Sequence, residues 1–263
     1  MITIGANLKI DKETPYPSAD MIRVVQDSIK GVRPDVPDLV PWHESYISNH
    51  INRIAFDLQI IRNLVPLDSR VLEVGCIPLM LTSSLSKLGY TEVTGVDIAP
   101  ERYGSSLRNL RLHVIKCDIE NGTWPFDSAS FDAVICFEVF EHLRINLKVT
   151  AGELARVLKP GGTLLLSSPN LRSLEGIENF LFRNRAYSCI GDIFEEYDKL
   201  DKLGHMGHVR EYTTTEVVIF LRKMGFEVTK LIFRENYRGL SRLITKLFPS
   251  LRPFVTYVAR KHA

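Results

Sequence analysis

The chain has 263 residues, 45% of them hydrophobic and 24% charged, which fits a globular protein with one α/β core or a core plus a cap. Its 33 basic and 31 acidic side chains leave a net charge of +2, which argues against nucleic acid as the partner. The chain shows no apolar run long enough to cross a bilayer and no signal-peptide segment, so we expect a cytoplasmic protein.

The first 65 residues are expected to form an arm and a helical lid. Residues 1–17 show little periodicity, and Ser18 can cap a helix that runs to Lys30. A proline-rich linker over residues 31–41 precedes a longer helix predicted over His43–Leu64. These helices would cover a ligand crevice or serve as plain framework.

The segment Ser69–Pro100 is the part of the sequence around which the second region, residues 66–263, is organised. Val71–Val74 is a short apolar run that ends at Gly75 and predicts a buried parallel strand. A helix to Leu88 follows, with Gly89 after it, and then a second strand that ends in Asp97. An acidic residue in this position typically meets the ribose hydroxyls of a nucleotide-type ligand, so Gly75 and Asp97 would face one ligand.

Strands and helices continue to alternate after Asp97, which predicts a doubly wound, seven-stranded, mostly parallel Rossmann-like sheet. The later strands are predicted at residues 112–116, 131–136, 163–167, 226–233 and 253–259. Helices are predicted over 147–158 and 213–224, and Lys159–Gly162 is predicted as a turn. Residues of about 170–210 form an inserted cap, whose aromatic side chains shape an apolar acceptor site or pack the cap itself. These aromatic residues are Phe180, Phe182, Tyr187, Phe194 and Tyr197.

Four segments together resemble the successive motifs of class I S-adenosylmethionine-dependent methyltransferases. They are VLEVGC, VTGVDIAP, CDIENGTWPFDSASFDAVICFEVFEHL and ARVLKPGGTLLLSSPN, in the family's order and spacing over residues of about 68–170. The segment GHVREYTTTEVVIFLRKMGFEV extends the match. The resemblance is to the small-molecule branch, which includes proteins of lipid and glycan biosynthesis. It implies methyl transfer from S-adenosylmethionine to a small acceptor.

The resemblance also implies roles for individual residues in binding S-adenosylmethionine. Glu73, Gly75 and Cys76 would line the methionine end, and Asp97 would bind the ribose. Ile98 would lie against the adenine, with Asp118 and Ile119 at its edge. Phe137 and Glu138 would lie beside the methionine moiety. Carboxylates and aromatic faces suit a ligand that carries a sulfonium and an ammonium group. As alternatives, Asp118 would cap a turn and Glu138 would be a solvated loop charge.

One segment departs from the family pattern. The turn after the first strand usually reads Gly-x-Gly-x-Gly, whereas here it reads Gly75-Cys76-Ile77-Pro78-Leu79. A β-branched Ile77 is poorly tolerated where positive φ is required. The alternative function is therefore a non-catalytic binding protein that keeps the fold and has lost the cofactor. A nicotinamide-dependent oxidoreductase is the other rival, and the absence of a Gly-x-Gly-x-x-Gly motif argues against it.

Methyl transfer to a hydroxyl group needs a base, and His142, just past the fourth strand, is the predicted catalytic residue. Its alternative is a capping or packing histidine. In the loop 204–212, His208, Arg210 and Tyr212 are predicted to contact the substrate or brace the lid. His205 and His208 are a weak metal signal, and we expect no metal site there or among the four cysteines. The cysteines, Cys76, Cys117, Cys136 and Cys189, are interpreted as free thiols.

Basic residues recur every four positions near the C-terminus. They are Arg234, Arg238, Arg242 and Lys246, and leucines and Phe248 interleave with them. On a helix over residues 234–248 this pattern would give a basic stripe beside an apolar one, as in helices that contact anionic membranes. The alternative is an ordinary amphipathic helix packed on the sheet. The sequence leaves the oligomeric state open.

Overall fold

The computed structural model describes residues 8–11, 17–188, 192–203, 207–234 and 238–262, which form eight strands and nine α-helices. The chain divides into two compact units. The N-terminal unit comprises Pro15–Ile135 and Val157–Lys159, and the C-terminal unit comprises Met1–Thr14, Cys136–Arg156 and Pro160–Ala263.

The strands of the N-terminal unit are all parallel, in the order β5-β2-β3-β4. They are β2 (Val71–Val74), β3 (Val93–Asp97), β4 (His113–Lys116) and β5 (Phe131–Phe137), the last of which crosses the unit boundary. Every residue of β2 is buried, as expected of a parallel strand with other elements on both of its faces. Val74 pairs with Val96, so the carboxyl ends of β2 and β3 are neighbours.

The helices predicted as a lid lie in this same unit. They are α1 (Ala19–Ser28), capped by the Ser18 hydroxyl, and α2 (Val40–Leu64), and both pack against α3 (Met80–Leu88). A fourth helix, α4 (Gly104–Leu110), precedes β4. Helix α2 begins three residues earlier than predicted and includes Pro41, which the sequence analysis assigned to the linker. Proline is tolerated in the first turn because the amide that it lacks has no intrahelical partner there.

The C-terminal unit has the strand order β1-β7-β8-β6. Its strands are β1 (Lys9–Asp11), β6 (Leu158–Pro169), β7 (Phe226–Arg234) and β8 (Phe254–Lys261). Its helices are α5 (Leu147–Val157), α6 (Leu174–Arg183), α7 (Ile193–Leu203), α8 (Thr214–Lys223) and α9 (Gly239–Leu247). Strand β8 is antiparallel to β6 and β7, whereas β1 is parallel to β7.

All seven predicted strands are present, and three local expectations were wrong. Lys9–Asp11, predicted as part of an arm, is an eighth strand that pairs Ile10 with Leu231. The predicted turn Lys159–Gly162 lies within β6. Arg234 ends β7 and therefore does not belong to the predicted basic helix, which starts at Gly239. Among the helices of the described residues, none is both long and apolar enough to cross a membrane.

Candidate functional site

Gly75 and Asp97 are neighbours at the carboxyl ends of β2 and β3. Gly75 has φ 72°, and its amide donates to the Val96 carbonyl at 2.9 Å. The half-buried Asp97 carboxylate accepts from the amide of Ile77 at 3.2 Å and from that of Ala99 at 3.0 Å. Asp97 therefore joins the turn after β2 to the turn after β3. The prediction that Gly75 and Asp97 face one ligand stays a prediction.

The substituted glycine turn is accommodated by packing. Leu79 takes the left-handed conformation with φ 69°, which costs a non-glycine residue roughly 1–2 kcal/mol. Ile77 is absent from the positive-φ residues of the described chain, so the strain anticipated there falls on Leu79 instead. The Cys76 and Leu79 side chains are buried in a cluster with Val32 and Tyr103, and Ile77 packs against it. The extra side chains thus gain apolar contacts that offset the strain.

A second glycine, unnoticed in the sequence, makes this packing feasible. A Cβ atom on Gly95 of β3 would lie 2.7 Å from the Cys76 sulfur, too close for the two to coexist without movement. A glycine inside an otherwise β-branched strand is the signal that could have revealed this close approach. The Cys76 side chain is buried against Gly95, so only the backbone of Cys76 is available for the predicted contact with a cofactor.

Glu73 is buried in the middle of β2, and the Thr82 hydroxyl of α3 donates to its carboxyl group. Burial raises its pKa from 4.5 to about 8; the Thr82 hydrogen bond opposes the rise, and the carboxylates of Asp97 and Asp57 add to it. At neutral pH this carboxyl is therefore mostly protonated, and Thr82 is a contact that the sequence analysis missed.

The predicted adenine-edge residues follow β4. The Asp118 carboxylate accepts from the Glu120 amide at 3.1 Å, which is the turn-capping contact weighed as its alternative role. The buried indole of Trp124 donates to the Ile119 carbonyl at 3.3 Å and holds this turn. Ile98 is 42% exposed, so part of its side chain is accessible to a ligand. The ligand-binding roles of Ile98, Asp118 and Ile119 stay predictions.

In the C-terminal unit, Glu138 is not a solvated loop charge. Its carboxylate accepts from the Ser167 hydroxyl at 2.7 Å and forms an ion pair with Arg234. The two charged side chains are only 11% and 7% exposed, and the Arg234 guanidinium lies over the Phe254 ring. Arg234 lies four residues before Arg238, so its position continues the four-residue spacing of the basic residues and predicts a place in the surface stripe. Because Arg234 in fact ends strand β7, its ion pair with Glu138 was not predicted. Phe137, also half-buried, precedes Glu138 at the end of β5.

His142 and His208, predicted separately as catalytic and substrate-binding residues, lie together in this unit. Their rings are 4.9 Å apart between centroids in an edge-on arrangement. The buried Glu141 joins them, and the potential ligand atoms of the three side chains all lie within 4.8 Å of one another. Residues 204–206, and with them His205, lie outside the described residues. The adjacent Glu141-His142 pair is the signal that the sequence analysis passed over.

Arg210 and Tyr212 have clear structural contacts. The exposed Arg210 forms an ion pair with Glu216 at 2.6 Å and stacks over the Tyr212 ring. Glu216 also completes the capping box of α8 with Thr213. The buried Tyr212 packs against Phe140, and burial raises the pKa of its hydroxyl. Contact of either side chain with a substrate stays a prediction.

A methyltransferase-domain family model matches residues 72–166. Residues 72–166 are therefore similar to a methyltransferase domain. The match covers β2 through most of β6, and with them Glu73, Asp97, Glu138 and His142. It ends before His208, so the segment that brings this histidine to Glu141 and His142 lies outside the matched domain.

Curated relatives of the methyltransferase domain are named ubiquinone biosynthesis O-methyltransferases. One from Xanthomonas campestris is 34% identical over 128 residues, which span 46% of this chain and 51% of the relative. A mitochondrial one from Dictyostelium discoideum is 29% identical over 157 residues, 54% of this chain and 48% of the relative. The chain thus matches about half the length of these relatives.

Solved structures share the fold. A methyltransferase of Thermotoga maritima, described as S-adenosylmethionine-dependent, aligns over 92% of this chain and all of its own, with TM-score 0.57 and 19% identity. One from Archaeoglobus fulgidus aligns over 84% of this chain and all of its own, with TM-score 0.57 and 17% identity. These structures confirm the predicted Rossmann-like α/β fold class, with eight strands among the described residues instead of seven.

Proposed function

We propose that this chain is an enzyme that transfers the methyl group of S-adenosylmethionine to a hydroxyl oxygen of a small, lipid-linked acceptor. The observation that carries the proposal is the Gly75–Asp97 pair at adjacent strand ends within the matched methyltransferase domain. A carboxylate in this place suits two ribose hydroxyls, and a glycine with positive φ leaves room for a ligand close to the backbone.

The raised pKa of Glu73 supports the binding of a cofactor that carries a positive charge. Its buried carboxyl is protonated near neutral pH and would ionise beside a sulfonium or an ammonium group. Phe137 and Glu138 keep their predicted roles beside the methionine moiety as part of the proposal, and so do Ile98, Asp118 and Ile119 beside the adenine.

An oxygen acceptor is proposed because the curated relatives carry O-methyltransferase names and because a histidine suited to proton removal lies in the domain. His142 is half-buried and belongs to the turn that follows β5. His208, Arg210 and Tyr212 are proposed to border the acceptor. In-line approach to the sulfonium needs little further activation, since the leaving group is already a good one.

A lipid link is proposed from helix α9. Leu240, Leu243 and Leu247 lie on one side of this helix at helical spacing, and they are between 58% and 72% exposed. Arg238, Arg242 and Lys246 are exposed as well. Exposed leucines flanked by cations suit the surface of an anionic bilayer, where an apolar acceptor would be found. These exposures support the proposed membrane contact over the alternative interpretation, a helix whose apolar side is packed on the sheet.

Vesicle binding tests this contact. We expect the chain to sediment with vesicles that contain phosphatidylglycerol and to do so much less with pure phosphatidylcholine. Changing Arg238, Arg242 and Lys246 to Gln should release the protein. A control variant with Arg62, Lys87 and Lys148 changed to Gln removes the same charge from other exposed positions and should still bind. No binding by the wild-type chain would end the membrane proposal, and fractionation of cells would test the cytoplasmic location.

Titration calorimetry tests the enzyme proposal. We expect micromolar binding of S-adenosylmethionine and S-adenosylhomocysteine and none of NAD. Binding of NAD alone would point to an oxidoreductase. Failure of all three would favour a methyltransferase-fold binding protein in which the substituted turn closes the site. With binding established, methyl transfer to phenols that carry an alkyl chain is the assay for the acceptor class.

A further inference from the structure

Two buried polar side chains of the N-terminal unit lie behind the substituted turn that follows β2. His43 of α2 is 3% exposed, Tyr103 is fully buried, and His43 Nδ1 lies 2.9 Å from the Tyr103 hydroxyl oxygen. The turn itself, residues 75–79, has side chains at two positions where the family pattern has glycine. We propose that His43 and Tyr103 are positioning residues that hold this turn in the shape that admits S-adenosylmethionine.

The hydrogen bonds of His43 define its tautomer. Its Nε2 atom lies 3.0 Å from the Val32 carbonyl oxygen, which can only accept, so Nε2 carries a proton. Burial lowers the pKa of the imidazole, so at neutral pH the ring is uncharged and its lone pair is on Nδ1. The Tyr103 hydroxyl is therefore the donor to Nδ1. The histidine thus joins α2 to two other segments of the chain, one through each ring nitrogen.

The Tyr103 ring connects this histidine to the turn. Tyr103 ends a short 3₁₀ helix, Pro100–Tyr103, that begins three residues after Asp97. Its side chain belongs to the same buried cluster as Cys76 and Leu79, the extra side chains of the turn. Leu79 has φ 69°, a strained conformation for any residue other than glycine, so it depends on packing within this cluster.

The turn in its place orients the carboxylate that we propose binds the ribose. The Leu79 amide donates to the Cys76 carbonyl at 2.7 Å and closes the turn. The Ile77 amide donates to Asp97 Oδ2 at 3.2 Å. Burial raises the pKa of Tyr103 and the nearby Asp97 carboxylate adds to the rise, so these two groups interact electrostatically. A displaced Tyr103 would therefore disturb the turn and, through the Ile77 amide, Asp97.

The proline-rich linker holds the segment around Tyr103 from both sides. The Asp35 amide donates to the Arg102 carbonyl at 2.7 Å, and the Asp35 carboxylate accepts from the Ser105 amide at 2.8 Å. The Ser106 hydroxyl donates to the Arg33 carbonyl at 2.7 Å and accepts from the Arg33 amide at 2.8 Å. The backbone that carries Tyr103 is therefore fixed, so the hydrogen bond from His43 sets only the position of its ring.

This inference deepens the proposed function and rests on it for the identity of the ligand. It gives a physical reason why the substituted turn does not close the cofactor site. A glycine-rich turn adopts its shape without side-chain packing, whereas this turn depends on the cluster that His43 and Tyr103 hold in place. Cofactor affinity should therefore depend on a hydrogen bond between two side chains that do not touch the cofactor.

Titration calorimetry with S-adenosylhomocysteine tests this dependence. We expect Tyr103→Phe and His43→Leu each to raise Kd about ten-fold, because each variant leaves a buried polar group without its partner. Tyr90→Phe is the matched control. Tyr90 is also buried, and its hydroxyl donates to the Val65 carbonyl at 2.7 Å, but it precedes β3 and so lies at the opposite end of that strand from Asp97. This control should bind as the wild type does.

The background Leu79→Gly separates positioning from a general loss of stability. Glycine adopts φ 69° without help from packing, so in this background Tyr103→Phe should change Kd by less than about two-fold. Thermal unfolding shows whether each variant is folded. An equal loss of affinity with Leu79 and with Gly at this position, or an equal loss in Tyr90→Phe, would overturn the positioning role.

Hydrogen exchange of the ligand-free protein keeps this test separate from the proposed function. We expect Tyr103→Phe to speed the exchange of amides in residues 76–80 about ten-fold, and Tyr90→Phe to leave it unchanged. Unchanged exchange in Tyr103→Phe would overturn the inference. Faster exchange in a protein whose wild type binds no S-adenosylmethionine would support the hold on the turn and contradict the proposed function alone.

Discussion

The two units bury an acidic side chain in or just after a parallel strand in different ways. In the N-terminal unit, Glu73 receives a hydrogen bond from the neutral Thr82 hydroxyl, and its pKa is raised to about 8. In the C-terminal unit, Glu138 is paired with the Arg234 guanidinium. A buried carboxyl with a neutral partner is ready to ionise for an arriving cation, whereas one with an internal cation is already compensated.

We propose that this difference gives the two carboxyls different purposes, that of Glu138 being in addition to its proposed place beside the methionine moiety. Glu73 suits the recognition of a positively charged cofactor, at the cost of some stability when it ionises without one. The Glu138–Arg234 pair suits the fixing of the end of β5, where Glu138 itself has a positive φ of 52°. The following predictions test that contrast, from the largest expected effect to the smallest.

Arg234→Met should have the largest effect on stability. It leaves the Glu138 carboxylate buried without its cation, which typically costs about 3–5 kcal/mol of unfolding free energy. Urea denaturation measures the loss, and adding Glu138→Gln should recover much of it. Arg183→Met removes an exposed pair with Glu178 and should cost less than about 1 kcal/mol. Equal losses in Arg234→Met and Arg183→Met would contradict the internal-pair interpretation.

Asp97→Ala should weaken S-adenosylmethionine binding by about 100-fold. The substitution removes a charged acceptor for the ribose hydroxyls, and hydrogen bonds to charged groups contribute about 1.5–3 kcal/mol each. Titration calorimetry measures the change. Asp132→Ala, which removes a carboxylate paired with Lys159 near the start of β5, is the matched control and should bind normally. Unchanged affinity in Asp97→Ala would refute the proposed cofactor site.

Glu73→Gln should change the dependence of stability on pH. Because the folded-state pKa of Glu73 is raised, its contribution is fully present below about pH 4.5 and is lost as the pH rises towards 8. The wild type should therefore lose stability relative to the variant as the pH rises across that window. Urea unfolding of both proteins at pH 5 and pH 8 measures the difference, and parallel curves would show that Glu73 ionises normally.

The same carboxyl should release a proton when the cofactor binds. At pH 7 the group is mostly protonated, and a nearby sulfonium and ammonium would favour its ionised form. Calorimetry in phosphate, HEPES and Tris, whose ionisation enthalpies differ, should show release of up to about one proton in the wild type. Glu73→Gln should show none, and an equal release from both proteins would assign the proton to another group.

Leu79→Gly and Leu79→Ala should differ by a smaller amount, about 1 kcal/mol. Both variants lose the buried leucine, but only glycine adopts φ 69° without strain. We expect the glycine variant to be the more stable of the two, the reverse of the usual order near a helix. Urea denaturation compares them, and a more stable alanine variant would show that the turn relaxes.

Much of the N-terminal unit could be predicted because its signals are local. Short apolar runs separated by helical periodicity located β2, β3 and β5, and parallel pairing then placed Gly75 beside Asp97. Strand β1 was not predicted, because three residues are too few to show a hydrophobic periodicity. Its pairing with β7 also depends on residues more than two hundred positions away in the sequence.

The cluster of Glu141, His142 and His208 in the C-terminal unit shows which contacts the sequence alone does not predict. The sequence by itself determined that acidic and histidine side chains follow the fourth predicted strand, and that His208 occurs in a later loop. Only the tertiary structure decided that Glu141, His142 and His208 meet, that Glu211 orients one of them, and that Arg234 turns inward to Glu138. Periodicity reports which side of an element is buried, whereas side-chain partners distant in sequence are chosen by the packing of the whole unit.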